Sequence, residues 1–130
     1  MKLAISSNGE SLESSIDPRF GRSQYYIIYD IDGDTYESIS NSSRQATGGA
    51  GIQAAQDIST KDVDAVITTN IGPNAFRVLE AAQIKVYSGV TGSVRKAVED
   101  FKKGSFDTTS SPNVGEKFGM GPGNTGGGKE

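Results

Sequence analysis

The chain has 130 residues, a net charge of −3 with mixed signs, and neither cysteine nor histidine. It can therefore contribute no disulfide, thiolate, imidazole base or usual zinc or iron–sulfur ligand, and its charge balance implies no basic face for a nucleic-acid backbone. No signal peptide or apolar run of membrane length is read, so a cytoplasmic protein with neither nucleic-acid nor membrane partners is expected.

Leu3, Ala4 and Ile5 mark a first strand over Met1 to Ser6, apolar enough for burial on both faces. Ser7 to Gln24 follows as a polar connection without helical periodicity, of a length that is often functional. Tyr25 to Ile31 and Asp34 to Ile39 are rich in aromatic and β-branched residues and predict two antiparallel strands joined by Asp32-Gly33. Gly48-Gly49-Ala50-Gly51 then leads into Ile52, Ala55 and Ile58, whose spacing predicts a helix to about Thr60. Val63, Ala65, Val66 and Ile67 predict a fourth strand, and Gly72-Pro73-Asn74 breaks it before a helix from Pro73 to Ala82. Proline suits the first helical turn, so the amides of Asn74 and its neighbours should point out of the strand's carboxyl end, where anions are attracted. Ile84, Val86 and Tyr87 predict a fifth strand. Ser88 to Ser93 leads to a last helix carrying Val94, Ala97, Val98 and Phe101, with Gly104 as its stop.

Ser111 to Glu130 is glycine-rich, with too few apolar residues to recover its ordering entropy. The division expected is a domain over 1–105 and a flexible tail over 106–130, in which Phe118 and Met120 are the side chains able to touch a ligand or partner. A chain ending near Thr109 should then melt within about a degree or two of full length.

The order βββαβαβα implies an α/β fold in three layers: a five-stranded mixed sheet with its second strand antiparallel and helices on both faces. The strand directions gather Ser7 to Gln24, Asn41 to Gly51, Thr69 to Asn74 and Ser88 to Ser93 at one edge, where open α/β sheets bind ligands. Each motif there also has a purely structural reading. Asp17 to Arg22 makes a rigid turn with Phe20 in the core and Asp17 paired to an arginine, Gly48 to Gly51 permits tight turning and close packing, and Gly72-Pro73-Asn74 starts a helix. Neither a Walker nor a dinucleotide fingerprint is present.

Three stretches in one order carry a resemblance. Asp17-Pro18-Arg19-Phe20-Gly21-Arg22 precedes an aromatic strand; Gly48-Gly49-Ala50-Gly51-Ile52-Gln53-Ala54-Ala55 follows; then comes Val63-Asp64-Ala65-Val66-Ile67 with Ile71-Gly72-Pro73-Asn74-Ala75. Over Met1 to Lys103 the chain resembles the dinitrogenase iron-molybdenum cofactor biosynthesis family, as a small stand-alone member. The resemblance implies a ribonuclease-H-like fold and the carriage or insertion of an iron–sulfur cluster or iron-molybdenum cofactor precursor, with a protein partner in cluster assembly.

This chain departs from that pattern in having no histidine or cysteine, so no metal-ligating residue is assigned. An anionic metallocluster or small molecule could still be held through its outer atoms by amides and guanidinium groups. The binding residues expected are Asn8, Arg19, Phe20, Gly21, Arg22, Gly48, Gly49, Gly51, Asn70, Gly72 and Asn74. Arg22→Ala should weaken binding and leave the melting temperature nearly unchanged. Nuclease chemistry on such a fold needs a carboxylate on the first strand. Met1 to Ser6 has none, and Asp57, Asp62 and Asp64 fall at the opposite edge, so no enzyme is expected. The alternatives are a binder of phosphorylated metabolites or nucleotides, or a protein-interaction module using the same edge.

Overall fold

Leu3, Ala4 and Ile5 are fully buried in the computed structural model, which describes residues 1–109 and 112. Their strand, β1 (Lys2–Ser7), is the middle of a sheet that also contains β2 (Tyr25–Asp30), β3 (Thr35–Ser40), β4 (Ala65–Ile67) and β5 (Lys85–Tyr87), in the order β3-β2-β1-β4-β5. β1 pairs antiparallel with β2 and parallel with β4; β2 and β3 are antiparallel, and β4 and β5 parallel. The three helices are α1 (Ala50–Ser59), α2 (Pro73–Ala81) and α3 (Val94–Lys102).

Alternation along the strands feeds two cores. Ala4, Ile28, Val66 and Val86 face one side, under Ala54, Ala55 and Ile58 of α1 and Ala75, Phe76 and Leu79 of α2. Leu3, Ile5, Ile27 and Ile67 face the other, under Val94, Ala97 and Val98 of α3. The crossovers from β3 to β4 and from β4 to β5 step the same way along the sheet, so right-handed connections place α1 and α2 on one face. The result is the expected mixed sheet with helices on both faces.

Two expectations need adjustment. The hairpin turns over Ile31 to Asp34 rather than at Asp32-Gly33 alone. The Asp30 carboxylate accepts the amide hydrogens of Asp32 and Gly33, and the positive φ falls on Asp34 (54°), so β3 starts at Thr35. Asp34 also accepts the Tyr29 hydroxyl and an ion pair from Lys102; these bonds hold its carboxyl below and the Tyr29 hydroxyl above their ordinary pKa ranges.

The connection from Ser7 to Gln24, read as a long polar loop, is pinned along the sheet edge. The Asp17 amide donates to Ser6 O at 3.1 Å, the Phe20 amide to Asn70 O at 3.1 Å, and the Asn70 amide to Pro18 O at 2.9 Å. The Ile16 amide donates to Gly92 O, and the amides of Val94 and Arg95 donate to Ser14 O and Leu12 O. Its apolar residues also divide between the two cores, Leu12 and Ile16 with α3 and Phe20 with α1 and α2.

Residues 106–109, expected with the tail, run along β5. Phe106 packs near Tyr87, and the Thr109 amide donates to Val86 O at 2.7 Å. A chain ending at Thr109 keeps these contacts. One ending at Gly104 loses a partly buried aromatic and should melt several degrees lower, by roughly 1–2 kcal/mol of burial; a thermal melt of the two truncations checks this. Residues 110–111 and 113–130, including Phe118 and Met120, lie outside the described residues.

Candidate anion-binding edge

The crevice between β1 and β4, where connections leave to opposite faces, is occupied by the first loop. Asp17 is 2 % exposed there. Its carboxylate accepts the backbone amides of Arg19 and Gln24, both at 3.1 Å, and not an arginine side chain as the sequence suggested. Below it the Ser6 hydroxyl donates to Asp17 O and lies 2.8 Å from the Thr68 hydroxyl, while Ser23 bridges Ser7 and Tyr25. These buried hydroxyls are fully spent on holding the loop. No periodicity or motif in the sequence announces them.

Beside this crevice α1 and α2 begin. A Cβ on Gly21 would stand 2.8 Å from the Cα of Gly51, so only glycine lets the Arg19 to Arg22 turn rest on the first turn of α1. A Cβ on Gly51 would in turn meet the Ala75 side chain at 3.5 Å. The turn, the start of α1 and the start of α2 are thus stacked in direct contact. Neither helix has a side-chain cap: the N-caps are Gly49, with φ 72°, and Gly72. The first-turn amides of Ala50, Gly51 and Ile52, and those of Asn74 and Ala75, have no intrahelical acceptor and carry the positive ends of two helix dipoles. α3 differs, because Ser93 caps its Lys96 amide.

The remaining predicted residues divide. Gly48 and Gly49 are exposed with open space around them. Arg19 is exposed, and its side chain has no recorded partner among the described residues. Arg22 lies beside it and donates from Nη1 to the carbonyl of Arg44 at 2.8 Å. Asn74 presents Oδ1 to Arg77 at 3.5 Å. Asn70 stays at the edge, bridged to Arg19, with its backbone bonded to Pro18 and Phe20. Two residues belong elsewhere. Phe20 is 1 % exposed, packed on Tyr26 at 5.4 Å between ring centroids, so its ring faces the core and not the edge. Asn8 pairs with Ser15, by backbone and side chain, on a segment whose neighbours join α3.

Sequence reasoning missed Asn41 and Arg44. Asn41 Nδ2 lies within hydrogen-bond distance of Gly21 O, Ser23 O and the Tyr26 hydroxyl, so one amide joins the first loop to the second. Burial holds the Tyr26 phenol far above its ordinary pKa, leaving it a neutral hydroxyl that donates to Phe20 O. Arg44 adds a third guanidinium at the edge; its position in a polar run had carried no signal. The acids Asp57 and Asp62 remain on the far side of α1, and Asp64 accepts the Lys2 amide at the opposite end of β1. Among the described residues no group of three histidine, cysteine, aspartate or glutamate side chains is placed to hold a metal ion, and no helix is long and apolar enough to cross a membrane.

Known proteins resemble the chain in sequence and architecture. An uncharacterized protein of Methanocaldococcus jannaschii is 31% identical over 110 residues, 82% of this chain and 90% of its own. The apo form of the orange protein from Desulfovibrio gigas superposes with a TM-score of 0.84 at 35% identity, covering 86% of this chain and 95% of that one. A Thermotoga protein provisionally named NifB does so with a TM-score of 0.74 at 35% identity, over 86% and 97%. The family model for dinitrogenase iron-molybdenum cofactor proteins matches residues 1–104, and the chain belongs to that family.

Proposed function

We propose that this chain is a non-catalytic carrier for an anionic metal–sulfur cluster, of the kind from which iron-molybdenum cofactor is built, held where α1 and α2 begin. The observation that carries the reading is the Gly21, Gly51 and Ala75 stack, which sets two uncapped helix N-termini against a turn bearing Arg19 and Arg22. Family membership supplies the class of cargo, and a relative described in an apo form is a protein that takes a ligand. The donors present do not fit direct ligation of iron or molybdenum, since the chain has no cysteine or histidine. They do fit the outer sulfur and oxygen atoms of a preassembled anion, which accept hydrogen bonds from amides and guanidinium groups without a protein–metal bond. Cargo held this way is released without breaking a coordinate bond, which suits delivery to a partner. The sheet order, with β2 antiparallel, supports the ribonuclease-H-like reading of the fold.

Anaerobic reconstitution with iron, sulfide and molybdate should yield a coloured protein containing metal. Arg19→Ala should lower retained metal at limiting cluster, because a charge-assisted contact worth about 1.5–3 kcal/mol corresponds to roughly ten- to a hundredfold in affinity. Its melting temperature should not move, since Arg19 is exposed and unpaired among the described residues. Arg22→Ala, expected from the sequence to leave the melting temperature nearly unchanged, also removes the bond to Arg44 O and should cost about 1 kcal/mol of stability. A thermal shift with nucleotides or sugar phosphates, and no metal uptake, would contradict the carrier reading.

A further inference from the structure

The two flanks of the sheet are finished differently. Beyond β5, residues 106–109 run alongside the strand, with the Thr109 amide on Val86 O and the Thr109 hydroxyl accepting the Ser88 amide. β3, at the other flank, pairs with β2 and with no other described segment. It is also the longer of the two outer strands, six residues against three. Devices that close a strand to other chains are missing from it: Thr35–Ser40 contains no proline, lysine or arginine, and its register with β2 runs one to one without a bulge. Tyr36, 44 % exposed, is one of two exposed large apolar side chains among the described residues. Glu37 is the one charge in the strand.

Which backbone groups face outward follows from the ladder. The Asn41 amide donates to Gln24 O at 3.1 Å, and the β2–β3 register continues from that pair. Hydrogen-bonded pairs alternate in an antiparallel ladder, so Ile39, Glu37 and Thr35 also turn their N–H and C=O groups toward β2. Tyr36, Ser38 and Ser40 turn theirs away from the sheet, in a row that another extended strand can take up. Side chains alternate as well: Tyr36 and Ser38 share the α3 face with Tyr29 and Ile27, while Glu37 and Ile39 share the opposite face with Ile28 and Tyr26.

We propose that β3 pairs antiparallel with β3 of a second copy of this chain, about a two-fold axis at Ser38, joining two sheets into one. The row fits itself. Centring on Ser38 sets Tyr36 against Ser40 of the second copy and Ser38 against its counterpart, so every outward residue meets an outward residue and each pair exchanges both bonds. That register also lays Glu37 opposite Ile39, whose side chain is partly buried, and keeps the two carboxylates from facing each other. Centring one residue nearer the hairpin turn would set Glu37 directly against Glu37, which like charges disfavour. A strand of another protein could use the backbone row, but this match of side chains and charge selects a second copy. Pairing stops at two, because β3 is then used and β5 is already covered. The helix starts of the two copies point in opposite directions along the joined sheet, so the inference does not rest on the carrier reading.

The experiment is sedimentation velocity of the full chain over a wide range of concentration, with amide hydrogen exchange at both ends of the range. A reversible passage from monomer to dimer is expected. Exchange of the Tyr36, Ser38 and Ser40 amides should slow in the dimer, while the Glu37 and Ile39 amides, bonded to β2 in both states, should not change. Ser38→Lys and Ser38→Glu should each weaken dimerisation severalfold, because like charges would then stand directly opposite, and an equimolar mixture of the two should dimerise at least as tightly as the parent. Should either variant fail to fold, the exchange pattern of the parent decides alone. A parent that stays monomeric overturns the proposal and leaves the row to a different strand. A dimer whose Tyr36, Ser38 and Ser40 amides exchange as in the monomer overturns it too, as do lysine and glutamate variants that dimerise like the parent or a mixture that recovers nothing.

Discussion

Asp17→Ala should lower the melting temperature by on the order of 10–20 °C. Both oxygens of this carboxylate accept backbone amides at 3.1 Å in a site that is 2 % exposed. Each charge-assisted bond contributes about 1.5–3 kcal/mol, and deletion leaves two part-buried donors without their acceptor, so a loss of roughly 3 kcal/mol is expected. At about 4–8 °C per kcal/mol for a domain of this size, the shift is large. Asp17→Asn keeps one oxygen acceptor and should fall between the two. Thermal melts of the three proteins check the order. If Asp17→Ala melts with the parent, Asp17 is not what braces the first loop.

Gly21→Ala should damage stability and binding together. The added methyl group would stand 2.8 Å from Gly51 Cα and 3.0 Å from Gly51 N, both backbone atoms that cannot swing aside. Overpacking of this kind costs about 1–3 kcal/mol, or roughly 5–20 °C, and lifts Arg22 and Arg19 away from α1. Gly48→Ala is the control, since nothing lies within 4 Å of its Cβ position and its φ is not positive; it should stay within about 0.5 kcal/mol of the parent. Gly49→Ala separates the two causes. It has open space and a φ of 72°, so it should cost about 1 kcal/mol through backbone strain alone. A Gly21→Ala protein as stable as Gly48→Ala would show that the stack does not need glycine.

These glycines also show where the sequence was legible. Apolar runs such as Leu3 to Ile5 and Ala65 to Ile67 identified the strands because a sheet covered on both faces buries every position, and helical spacing in α2 and α3 placed two amphipathic stripes. Strand directions follow from chain connectivity, and with them the gathering of four loops at one edge. What could not be read was which atoms at that edge are consumed. Phe20 and Gly21 are neighbours in a single motif, yet one fills the core and the other makes a close backbone approach; residue type alone does not distinguish these roles from ligand contact. Asp17 offered an ion pair by charge, but backbone amides two and seven residues along the chain took it instead. The hydroxyls of Ser6, Ser7, Ser23 and Thr68 are buried, and no sequence pattern sets them apart from solvated ones. Arg44 stood in an unpatterned polar run, and only the fold brings it beside Arg22.

If the proposal holds, an anion of metal and sulfur sits against the starts of α1 and α2. Titrating the ¹⁵N-labelled chain anaerobically with tetrathiomolybdate, a diamagnetic molybdenum–sulfur anion, tests it most directly. The account predicts saturable shifts centred on the amides of Ala50, Gly51, Ile52, Asn74 and Ala75, with the Arg19 side chain following them and the signals of Lys2, Asp32 and Asp64 at the far end of the sheet unmoved. Shifts centred away from the two helix starts, or none that saturate, would contradict it.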